Sequence, residues 1–173
     1  MRRQPRWRMV SCLTLEWLSL AVWVGGMLVL TGAVIPAVFN TFGGQDSGGI
    51  FLTRAFEGYH RFVIGAMTIM SAASWYRWWS GDPTVAVGRG EMTLLAGMVA
   101  ITGIIIAVLH PQAAALQAHA FAIPEGAEKK AALEALFRIL LPVRSLYMVN
   151  LVLGIILIGV KARQSLCRDG VTV

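Results

Sequence analysis

Charge is scarce in this sequence: 14% of its 173 residues are charged, against 57% hydrophobic, and the mean hydropathy is +0.67. A soluble domain carries about 25% charge, so a water-soluble fold is excluded. Cysteine is scarce as well, with two residues, Cys12 and Cys167. Both fall on the side of the chain assigned to the cytoplasm from its basic residues, where thiols stay reduced, so no structural disulfide is expected. The sequence has no alternating strand pattern and no repeat of solenoid length. It also lacks a Cys-x-x-Cys, a phosphate loop, a zincin motif and a nucleophile with an adjacent base. Nothing argues for an enzyme. The net charge is +6, yet no basic patch with interleaved aromatics points to nucleic acid.

What the chain does have is long apolar runs, several near the roughly twenty residues that cross a bilayer core. The expected fold is all-α and integral to the membrane: a four-transmembrane-helix bundle forming one domain over 1–173. Its spans are expected at about 13–39, 61–79, 92–109 and 140–160. Gly/Asp/Ser and Asp-Pro stretches separate the first three. The third connection is longer and alanine-rich, and each of its halves begins with a proline suited to a first helical turn. Residues 111–136 are therefore expected to form a short helical outer segment, extramembrane or interfacial. The basic start "MRRQPRWRM" precedes an apolar stretch that runs on to Phe39; a retained anchor is expected rather than a cleaved signal.

Basic residues near span ends set orientation. Arg2, Arg3, Arg6, Arg8, Arg77, Arg89, Lys161, Arg163 and Arg168 share one side. Glutamates dilute the basic residues of the other side. Both termini are accordingly expected in the cytoplasm. The aromatic cluster Trp75, Tyr76, Trp78 and Trp79 marks an interface on that side.

The first span, "VWVGGMLVLTGAVIPAVF", carries Gly25, Gly26, Gly32 and Pro36. Lipid gives helices no hydrophobic drive to associate, so small residues that let backbones approach must supply packing. Gly103 lies on a small-residue stripe of the third span, and Asn150 with Gly154 on one face of the fourth. These seven residues are the expected packing set, with spans one and three backbone to backbone and Asn150 hydrogen-bonded across helices.

Several short motifs carry a likeness. Trp23, Gly25 and Gly26, then Pro36, Ala37 and Phe39, then Gly48, Ile50, Phe56 and Tyr59, then Phe137 and Asn150 together resemble an uncharacterised bacterial family related to transmembrane protein 205. The Trp-x-Gly-Gly opening is also similar to copper-resistance D-type membrane proteins, which are the rival relatives. Leu140, Leu141 and Pro142 depart from the first family, which has Leu-His after its phenylalanine. The resemblance implies a four-helix protein of a bacterial inner (plasma) membrane, and an architecture more than an activity.

Ionisable groups within or near spans are costly and are functional candidates by default. His60, His110 and His119 all fall on the outer side, and Glu57 with His60 forms a Glu-x-x-His on one helix face. A di-iron centre needs two such motifs with two further glutamates, so none is expected. A single metal on His60, His110, His119 and Glu57 remains open beside the blander reading of interfacial histidines. The blander reading is preferred, with no cofactor expected. Glu57 and Arg61 have the spacing of an i,i+4 pair, and Glu16 is read as facing headgroups. The expected function is association, as an accessory subunit or membrane-organising factor. Its partners are the bilayer and a second copy or another membrane protein. The alternative is metal handling or transport through the outer histidines.

Overall fold

The computed structural model describes residues 6–43, 46–80, 87–124 and 126–169. Arg2, Arg3, Glu125 and residues 81–86 of the Ser80–Glu91 connection lie outside them, as does the Cys167 side chain. The described residues contain no strand. They form four long rods: α1, Trp7–Phe42; α2, Asp46–Ser80; α3, Arg89–Ala122; and α4, Ala127–Asp169. Three helices, Trp7–Phe42, Arg89–Ala122 and Ala127–Ser165, are long and apolar enough to cross a membrane, and they indicate a multi-pass membrane protein. The second rod, of 35 residues, is long enough but is not among these three.

Two expectations change here. Residues 111–136 do not form separate outer helices: α3 runs straight on through Pro111 to Ala122, and α4 starts at Ala127 and continues unbroken past Pro142. Nor do the first and third rods lie backbone to backbone. The dominant pairings are α1 with α2 and α3 with α4, as short connections between antiparallel neighbours favour.

Prolines shape the rods without ending them. A proline inside a helix has no N–H for the carbonyl one turn earlier. The π-helical stretch Leu30–Val34 ends two residues before Pro36, and Ile105–Leu109 ends two residues before Pro111. The same offset at both sites identifies the widened turn as the accommodation of the proline. A third π stretch, Ala21–Gly25, has no proline nearby. There the Tyr59 hydroxyl donates a 2.6 Å hydrogen bond to the Trp23 carbonyl, inserting a side-chain donor into the helical ladder.

Gly26 makes that insertion feasible. A Cβ built on it lies 2.7 Å from Tyr59 Cε2, so any side chain there displaces the ring. Gly154 plays the matching part on α4, where a Cβ comes 2.5 Å from Val24 Cγ2 and 3.3 Å from Met98 Cε. A Cβ on Gly25, Gly32 or Gly103 meets nothing within 4 Å, which corrects the reading of those three as contact points. Gly43 closes α1 in the left-handed conformation, its N–H donating to the Phe39 carbonyl, as a C-terminal glycine does. Between the two ends of the bundle, Leu20, Val63, Met70, Leu95, Met98 and Leu157 form a dry core.

Candidate functional site

Two layers of buried polar groups flank that dry core. On α2, α3 and α4 they stand roughly 20–30 Å apart along the helix axes at 1.5 Å per residue. That is close to the thickness of a bilayer's hydrocarbon core.

The first layer is ionic. Glu16 of α1, Arg77 of α2, Glu91 of α3 and Lys161 of α4 meet at one point, exposed by 0%, 2%, 1% and 5% respectively. Arg77 Nη1 lies 2.5 Å from Glu16 Oε2 and 3.4 Å from Glu91 Oε1. Lys161 Nζ lies 2.5 Å from Glu16 Oε2 and also donates to Glu91 Oε1. Ser74 Oγ donates to Glu16 Oε1 at 3.3 Å. Two acids face two bases, so the formal charge of the quartet cancels. That cancellation is what permits four such groups in a low-dielectric interior. Helix ends help: Arg77 sits in the last turn of α2 and Glu91 in the first turn of α3, each at the dipole end that favours its charge. Glu91 Oε2 alone among the four carboxylate oxygens has no hydrogen-bond partner. Beside the quartet lies a cavity of about 20 Å³ lined by Leu13, Trp17, Arg77, Lys161, Gln164 and Ser165. Glu16 thus turns inward, not toward headgroups.

The second layer is neutral in design. His60 Nε2 shares a 2.6 Å hydrogen bond with the Tyr147 hydroxyl. The His110 ring stands edge-on to His60, with centroids 4.6 Å apart, and its Nε2 is buried with no partner. Phe56 and Tyr59 pack around His60. One step deeper, Asn150 Nδ2 donates to Thr102 Oγ1 at 3.0 Å, linking α4 to α3.

The candidate metal set is only partly assembled. His60 and His110 meet, while His119 sits on the same straight rod about 13 Å beyond His110 and is exposed. Among the described residues no group of three or more His, Cys, Asp or Glu side chains is placed to hold a metal ion. Glu57 and Arg61 form no ion pair. Beyond this layer the rods continue together, tied by Lys129 to Asp46 at 2.8 Å, by Thr53 to Gln117 at 2.7 Å, and by Phe121 packed over Gly49.

A family model described as a domain of unknown function, DUF4149, matches residues 18–122, more than half of the chain. The chain belongs to the DUF4149 family. No curated protein matches it, and no solved structure does. The matched stretch includes Trp23, Tyr59, His60, Arg77, Glu91 and His110. Glu16, Tyr147, Asn150 and Lys161 fall outside it, so each polar layer of this DUF4149 protein joins residues inside the match to residues outside it.

Sequence reasoning missed the quartet. It explains three members singly, Arg77 and Lys161 as basic flanks and Glu16 as a headgroup contact, and gives Glu91 no role. The signal that was there is that all four lie at the same end of their apolar runs and their charges sum to zero.

Proposed function

We infer that this DUF4149 protein is a four-span protein of a bacterial plasma membrane that acts by association, as an accessory subunit or membrane-organising factor. The observation that carries the reading is the closed quartet. Every one of its charges is met by an opposite charge from another helix, and the cavities beside the two layers are water-sized. With the interior spent on holding helices together, the surface is what remains to act. That surface is rich in exposed apolar side chains at bilayer depth, such as Val29, Phe62, Ile69 and Ile155.

A reading of four crossings is supported by α2 lying within the same bundle. It spans the same two layers as its apolar neighbours, and between Phe62 and Tyr76 it has no charged residue. Trp75, Trp78 and Trp79, exposed near the quartet, suit an interface at that end. The basic bias of the termini supports placing the quartet on the cytoplasmic side. With Cys12 and Cys167 removed, a cysteine near Gln45 should react with an impermeant reagent from outside and one near Thr84 should not; reversed labelling overturns the orientation. Kinship to the relatives of transmembrane protein 205, or to the copper-resistance D-type proteins, rests on the Trp23, Gly25 and Gly26 motif, of which Trp23 and Gly26 both meet Tyr59.

The test of association is the oligomeric state in nanodiscs by native mass spectrometry, together with photocrosslinking in native membranes from Phe62 and Ile155. A dimer or a discrete cross-linked complex is expected. A strict monomer without crosslinks overturns the reading. Metal handling or transport is the second reading, favoured by the unpartnered His110 Nε2 edge-on to His60. Stoichiometric metal in the purified protein, lost in His60→Ala, or a saturable ion flux in liposomes, decides for it.

A further inference from the structure

We propose that the protein holds one ordered water at the inner edge of the histidine layer, and that this water completes a hydrogen-bonded tie among all four helices. A cavity of about 10 Å³ lies there, lined by residues of every rod: Trp23 on α1, His60 on α2, Thr102 on α3, and Tyr147 and Asn150 on α4 among them. That size accommodates a single water. Two of the residues lining it each carry a buried side-chain atom with no hydrogen-bond partner: Trp23 Nε1, which can only donate, and Asn150 Oδ1, which can only accept. Their residues are 1% and 2% exposed.

An unpaired buried donor destabilises a fold, and so does an unpaired acceptor. Both being orphaned at one cavity is the signature of a ligand that accepts from one and donates to the other, and water does both. The Trp23 N–H donates to the water, and the water donates one hydrogen to Asn150 Oδ1. With the Tyr147 hydroxyl donating to His60 Nε2, its lone pairs accept the water's second hydrogen. The water then makes three hydrogen bonds, the usual number for a buried water. Through Asn150 Nδ2 the tie reaches Thr102, so α1, α2, α3 and α4 are joined. The dry core beyond it, Leu20, Met70, Leu95 and Leu157, keeps the water from continuing toward the quartet.

The test is water-to-indole magnetisation transfer by NMR on tryptophan-labelled protein in nanodiscs, at short mixing time. Trp23 is assigned by the resonance that disappears in Trp23→Phe. A water cross-peak at the Trp23 indole proton is expected in the native protein, lost in Asn150→Leu, which removes the acceptor and fills the space. Val63→Ile extends the cavity wall by one methylene with no polar change and should also lose the cross-peak. A native Trp23 indole resonance without water transfer overturns the proposal whether or not either variant folds. So does a cross-peak that persists undiminished in a folded Asn150→Leu or Val63→Ile protein.

Discussion

At one end of the dry core, four helices are joined by four charges; at the other, they are joined by imidazole, phenol and amide. The difference lies in what each layer risks. Charges that cancel within the quartet bind strongly, but removing one leaves another buried without its partner, and that costs far more than a lost hydrogen bond. The neutral layer loses only a hydrogen bond when one group is removed, typically about 1 kcal/mol. The quartet is therefore the stiff joint and the histidine layer the forgiving one. Their separation is close to a bilayer's apolar thickness.

The sharpest way to break this comparison is to delete one charge. Arg77→Met should lower stability in detergent by about 3–5 kcal/mol, because Glu16 and Glu91 then share only Lys161. A thermal unfolding midpoint unchanged from the native protein would remove the stiff joint. Next in size is overpacking. Gly154→Ala places a methyl into Val24, a stiff β-branched neighbour, and should cost about 1–3 kcal/mol, whereas Gly103→Ala should be neutral within about 0.5 kcal/mol. Equal effects at the two sites would mean that the small residues act only by propensity. Tyr59→Phe keeps the ring over Gly26 but removes the donor to the Trp23 carbonyl. A loss of about 1 kcal/mol is expected, and hydrogen exchange should slow in Ala21–Gly25 if the ladder recovers its regular turn. The smallest effect belongs to the histidine layer itself. His60→Phe should cost about 1 kcal/mol or less, since only the bond to Tyr147 is lost; a loss as large as that of Arg77→Met would erase the contrast between the layers.

Much of this was open to sequence reasoning at the level of pattern. The apolar runs pointed to an all-helical chain; Gly26 stood out as a glycine in an apolar helix, and Gly154 by sharing a face with Asn150. The bond from Asn150 was anticipated because a lone amide in lipid has to find a partner. What stayed hidden depends on depth and rotation, which a one-dimensional string does not carry. Glu16, Arg77, Glu91 and Lys161 are far apart in sequence, and each has an ordinary explanation as an interfacial residue. Pro111 read as a helix start, because local propensity does not reveal that a π-helical turn can absorb a proline and carry the rod onward. Gly25, Gly32 and Gly103 share the composition of contact glycines, but the rotation of their helices turns them away from any neighbour.

The most direct measurement is a double-mutant cycle between Glu91 and Lys161, using Glu91→Gln, Lys161→Met and the pair, followed by unfolding in detergent. Each single change leaves the quartet with an unbalanced charge, while the double leaves Glu16 facing Arg77 as a neutral pair. A coupling of about 1–3 kcal/mol is expected, with the double variant more stable than the sum of the singles allows. Losses that simply add, within about 0.5 kcal/mol, would show that the four charges do not act as one joint.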